Sequence, residues 1–92
     1  MFLSERLKNI LNNATNENKV IIDLLNECIA YISENTHSGM KAKDCAAVIK
    51  QANSNWKNFC KENNLESGSN LFEEAYINQR CKSHPQLKYF FK

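Results

Sequence analysis

Between Lys41 and Asn63 the apolar residues Cys45, Ile49, Ala52, Trp56 and Phe59 follow one another in steps of four and three, with Val48 and Cys60 beside them. That alternation is the period of one buried stripe on an α-helix. The intervening Lys43, Asp44, Lys50, Gln51, Ser54, Lys57, Lys61 and Glu62 are polar, and neither Gly nor Pro interrupts the run. A helix of this length spans about 30 Å, roughly the width of a small domain. A bend into a helix-turn-helix would need a turn at Asn53-Ser54, with Ala46 at the crossing. The stripe keeps its phase from Asn53 to Phe59, which predicts one unbroken helix.

The rest of the chain has to wrap around that helix. The sequence predicts an all-α fold, a small bundle of four to five helices around a long central helix (about 41–63), in one domain over 1–92. Apolar residues make up 42 % of the chain and nine residues are aromatic, enough for a packed core. Two Gly and one Pro are too few for the tight turns of an all-β fold.

Leu3, Leu7, Ile10 and Leu11 give a first helix over 3–13, and Asn12 to Asn16 a polar break in which Thr15 or Asn16 can cap the next helix. The second helix, 17–34, carries Ile21, Leu24, Leu25, Cys28, Ile29 and Ile32 as its stripe. In the turn that follows, Gly39 can take a positive φ and Ser38 can cap the central helix. After a second turn at 65–69, Asn70 and Glu73 resemble a capping box. The fourth helix, 71–82, should bury Leu71, Phe72, Ala75 and Tyr76. Pro85 suits the first position of a last helical turn, where Leu87, Phe90 and Phe91 share a face. Asn occurs 14 times, dispersed through amphipathic segments; that is read as codon bias on solvated surfaces rather than as a prion-like tract.

Cys28, Cys45, Cys60 and Cys81 are at least 15 residues apart, and neither they nor His37 and His84 form the close ligand pairs of a zinc site. Cys45 and Cys60 stand about 22 Å apart on one helix, beyond disulfide reach. Cys28 with Cys45, or Cys45 with Cys81, can approach across an antiparallel pair. The expectation is four reduced thiols, three of them acting as small core hydrophobes. Arg80 and His84 can share a helical face, but Pro85 ends the helix, so Arg80 is expected to be solvated and His84 to sit in a turn. Glu73 and Glu74 are adjacent and point apart, and no Gly-rich loop is present to cradle a phosphate. Catalytic, metal and cofactor-binding residues are therefore not expected, and neither is an enzyme.

After Glu74 the chain has no acidic residue, while Arg80, Lys82, Lys88 and Lys92 are basic and Tyr89, Phe90 and Phe91 lie among them. Trp56 sits between Asn53, Asn55 and Asn58. An aromatic surplus rimmed by Asn and Lys suits a protein-binding surface. The expected function is a small protein-binding module, of the adaptor, inhibitor, antitoxin or immunity type. It would act through Trp56, Tyr89, Phe90, Phe91, Arg80, Lys82 and Lys88, on another protein or on a second copy of this chain. The alternative is a nucleic-acid-binding module using the basic, aromatic C-terminal segment. Glu5, Arg6 and Lys8 break any signal-peptide core, and no apolar run is long enough to span a membrane. No membrane partner is expected, and the expected location is the cytoplasm.

Overall fold

A computed structural model describes residues 2–15 and 17–91. Helices α1 (Leu3–Asn12), α2 (Glu17–Glu34) and α3 (Ala42–Glu62) follow the sequence pattern to within a residue. A 3-10 turn, Glu66–Gly68, leads into a helix over 71–83, which opens with one α residue pair at 71–72, passes through a π-helical segment, Glu73–Ile77, and continues as α4 (Asn78–Ser83). Pro85 then opens α5 (Pro85–Lys88), and a 3-10 turn, Tyr89–Phe91, follows it. No strand occurs among the described residues. The expected caps at Asn16 and Lys92's place in the tail lie outside the described residues.

Helix α3 is the axis of the bundle. It packs against α1, α2, α5, both 3-10 turns and, through side chains, the π segment. Its inward stripe is Cys45, Ala46, Ile49, Ala52, Trp56, Phe59 and Cys60, while Val48 is only half-buried. From the other side Leu3, Leu7, Val20, Leu24, Cys28 and Ile32 close on it, with Phe72, Ile77 and Leu87 completing the core. The helix runs through Asn53-Ser54 without a break, as the unbroken phase of its stripe requires.

Trp56 is fully buried, and its indole N–H donates to the Gly68 carbonyl at 3.0 Å. It is therefore a core residue and does not belong to a partner-binding surface. The sequence neighbours Asn53, Asn55 and Asn58 suggested otherwise because they flank Trp56 along the chain, whereas the helix turns it inward.

Three asparagines close three helices in the same way. The side-chain amides of Asn13, Asn35 and Asn63 donate to the carbonyls of Asn9, Tyr31 and Phe59, each four residues back, at 2.8, 2.8 and 2.9 Å. The Thr36 hydroxyl does the same for Ile32 at 2.8 Å. Carbonyls in the last turn of a helix have no partner within it, and these short side chains supply one. Part of the Asn excess is thus structural rather than compositional.

Among the described residues the left-handed one is Asn64, with φ 59°, and neither Gly has a positive φ. Asn64 follows the cap Asn63, and the Leu65 N–H reaches the Cys60 carbonyl at 2.7 Å, the bond pattern of a Schellman motif. Ser38 does not cap α3: the helix is entered through extended Lys41, and the first turn has no side-chain cap. Ser38 and Gly39 instead sit in a tight turn closed by the Met40 N–H on the His37 carbonyl.

The fourth helix departs from its expected register. Ala75 is exposed, and Ile77 is buried in its place. Phe72 and Ile77 are five residues apart, the hydrogen-bonding period of a π-helix, and the Asn78 N–H bonds the Glu73 carbonyl across that span. Burying a side chain the size of Ile gains about 1.5–3 kcal/mol, enough to offset the poorer geometry of one wide turn. Glu73 does not cap Asn70; its carboxylate turns to α3.

Two substitutions check this account by chemical denaturation. Trp56→Phe keeps an aromatic ring but orphans the buried Gly68 carbonyl and leaves the space of the lost pyrrole ring, and should cost about 2–5 kcal/mol. Asn64→Gly should be neutral or stabilising, whereas Asn64→Val should cost about 1–2 kcal/mol because a β-branched residue resists the left-handed conformation.

Candidate functional site

The expected site residues other than Trp56 fall on two sides of α4. At 100° per residue, Arg80 and Lys82 point about 160° apart around the helix. Arg80 faces the start of α3, Lys82 faces the C-terminal turn.

On the first side, Arg80 is half-buried, which corrects the expectation of a solvated side chain. Its Nη1 donates to the Tyr76 hydroxyl at 3.1 Å, its Nη2 lies 3.9 Å from Cys45 Sγ, and its buried Nε has no partner. Burial raises the Tyr76 hydroxyl above its usual range, against the pull of the neighbouring Arg80 charge. The guanidinium borders a pocket of about 410 Å³ between the end of α2, the 36–40 turn, the start of α3 and the α4–α5 corner. His84 sits at that corner as expected, but His37 shares the pocket with it. His37 and Arg80 are 43 positions apart in the chain, so no spacing rule would have paired them.

On the second side, a groove of about 710 Å³ runs between the 71–83 helix and the last turn. It brings together Lys82, Lys88 and Phe91, three of the expected residues, over buried Ile77 and half-buried Cys81. Glu73 and Glu74 line its other end. Glu73 accepts from Lys57 at 3.0 Å and from Asn53 at 3.1 Å, and these bonds, Lys57 first, hold its carboxyl below the usual glutamate range.

The tail aromatics divide. Leu87 is buried, and Phe90 and Phe91 are half-buried against the core. The Lys50 ammonium lies 5.6 Å from the centre of the Phe91 ring, a cation–π distance. Tyr89 packs edge-on against Phe90 with centroids 5.3 Å apart and remains 73 % exposed.

The four cysteines are free; Cys28, Cys45 and Cys60 are buried, and Cys81 is half-buried. Burial pushes the Cys28 thiol up to about 12, helped by the proximity of Cys60, and pushes Cys60 up to about 11. Among the described residues no three His, Cys, Asp or Glu side chains converge as metal ligands. No described helix is long and apolar enough to cross a membrane.

Comparison with known proteins matches no family model, no curated protein and no solved structure. The functional reading is therefore carried by these residues alone.

The thiol environments make a direct prediction. Under native conditions at neutral pH, a thiol reagent should modify Cys81 first, while Cys28 and Cys60 react only as fast as the protein opens, because thiolate is the reactive form. Mass spectrometry of a time course reads the order, and early labelling of Cys28 or Cys60 would contradict the packing described.

Proposed function

We propose that this chain is a small protein-binding module, without catalytic activity of its own, and that its docking face is the groove between the 71–83 helix and the C-terminal turn. The observation that carries the reading is the convergence of Lys82, Lys88 and Phe91 on one apolar floor. The occupant that suits it is an amphipathic helix of another protein. Ile77, Cys81 and Phe91 offer an apolar strip for its buried face. Glu73 and Glu74 stand near the start of the helix and Lys82 near its end, roughly 13 Å further along. A partner helix with basic residues at one end and acidic ones at the other would find its direction set by that polarity. Tyr89, exposed and next in the chain to Lys88, adds the kind of aromatic contact that anchors such interfaces. The adaptor, inhibitor, antitoxin and immunity roles all use this kind of surface, and a cytoplasmic setting would keep the four thiols reduced.

The nucleic-acid reading has weaker support. The lysines share their groove with two glutamates, and Arg80 faces the opposite side of α4, so the basic groups do not line up along one phosphate track.

Affinity capture from the source cell, run in parallel with the wild type, Phe91→Ala and Lys88→Glu, tests the proposal. A protein should be retained by the wild type, and reconstituted binding should weaken about tenfold or more in Phe91→Ala, with shallow salt dependence. Retention of nucleic acid with a steep salt dependence would replace this reading with its rival. Concentration-dependent sedimentation of the pure chain would identify a second copy as the occupant.

A further inference from the structure

The molecule holds two half-buried arginines, and they are treated differently. Arg6 is clamped by two carboxylates, Glu27 and, at 2.6 Å, Glu34. Among the described residues Arg80 has no carboxylate within ion-pair distance; it meets a phenol and a thiol, and its enclosed Nε has no partner there. A guanidinium carries five donors in a fixed fork, and drawing it partly out of water with its charge uncompensated is unfavourable. What compensates the charge on the Arg6 side is missing on the Arg80 side.

The pocket that Arg80 borders shows what would compensate it. Its polar lining is Ser33, Thr36, His37, Ser38, His84 and Gln86, with no carboxylate among the described residues, and the Thr36 hydroxyl proton is already given to the Ile32 carbonyl. The other five side chains can each donate a hydrogen bond, an imidazole doing so whether neutral or charged. Two of the carbonyls at the end of α2, those of Tyr31 and Ile32, are already occupied by the side chains of Asn35 and Thr36. The cavity, at about 410 Å³, is larger than a bare oxyanion requires and open enough to admit a small molecule that carries one.

We propose that this pocket is a binding site for a phosphate group, free or as a small phosphomonoester, with the Arg80 guanidinium as its anchor and His37 and His84 as flanking donors. A phosphate has terminal oxygens enough to occupy the fork and several further donors at once, whereas a carboxylate would leave most of this lining unused. The site lies on the far side of α4 from the docking groove and does not depend on it.

The test is an NMR titration of the full-length chain with glycerol phosphate, inorganic phosphate, acetate and chloride at constant ionic strength. Either phosphate should produce saturable shifts at the Arg80 guanidinium and at the backbone amides of the 36–40 turn and of His84, Gln86 and Leu87. Tighter binding of the ester assigns the site to a phosphomonoester, and equal binding assigns it to the free ion; both sustain the proposal. Arg80→Gln should weaken phosphate binding by at least about tenfold, the scale of a lost charge-assisted bond, and Arg80→Lys should weaken it too because an ammonium cannot fork. Lys61→Gln, at the other end of α3, should change nothing. Should Arg80→Gln fail to fold, Ser38→Glu supplies the missing carboxylate from an exposed turn and should abolish binding. Non-saturable shifts, an equal response to acetate or chloride, or unchanged affinity in Arg80→Gln or in a folded Ser38→Glu would overturn the assignment.

Discussion

An indole cannot be buried without a place for its N–H, and much of this fold can be traced from where Trp56 puts it. Burying a Trp removes on the order of 200 Å² from water, about 5 kcal/mol of apolar transfer. An unpaired buried N–H would return about 1–3 kcal/mol of that. The Gly68 carbonyl prevents this loss, at 3.0 Å, from a loop twelve residues further on. For that carbonyl to arrive, the chain leaving α3 must reverse at once. Asn64 makes the reversal by taking φ 59°, and the Leu65 bond to Cys60 locks it. The core residue and the turn chemistry thus specify the same path, the consistency across levels that favours a single native state.

Much of this was legible in the residues. Helices α1 to α3 are marked by long periodic stripes, and a long stripe outweighs local ambiguity at its ends. Pro85 announced the start of α5. The failures share a cause: each turns on a partner distant in sequence or on a departure from the α period. Trp56 stands in the buried stripe of the central helix, and only its asparagine neighbours in the chain make it a surface candidate as well. Ala75 looked buried because a helix of constant period was assumed, and the signal that could have corrected it was Ile77 five places after Phe72. The helix-closing role of Asn13, Asn35 and Asn63 could have been found, since each stands just beyond a stripe's last residue. The environment of Arg80 could not, because it is assembled from segments that only the tertiary fold brings together.

The charges follow the same division between local and assembled. Arg6 sits one turn into α1 and gathers Glu27 and Glu34 from α2, nearly two turns apart on one face, so a single side chain clips two helices together. Lys57 and Asn53 do the equivalent for Glu73, fixing the π segment against α3. These partly exposed pairs are individually worth about 1 kcal/mol or less. Their value lies in direction: a hydrophobic stripe tolerates sliding, whereas a carboxylate caught between two donors does not.

That anchoring has a consequence for both faces of α4. A π segment absorbs one extra residue, so every side chain after it is rotated by about 100° from where an unbroken α-helix would carry it. Counted from Phe72, Arg80 therefore occupies the angular position that a regular helix would give to Gln79. The same displacement carries Ile77 into the core and Lys82 to the groove. Without the wide turn, the neutral Gln79 would face His37 and His84, and the guanidinium would swing away from the pocket it now borders. The Phe72–Ile77 spacing that buries one more apolar side chain is, by the same geometry, what sets a cation at the mouth of a cavity whose described lining holds no carboxylate.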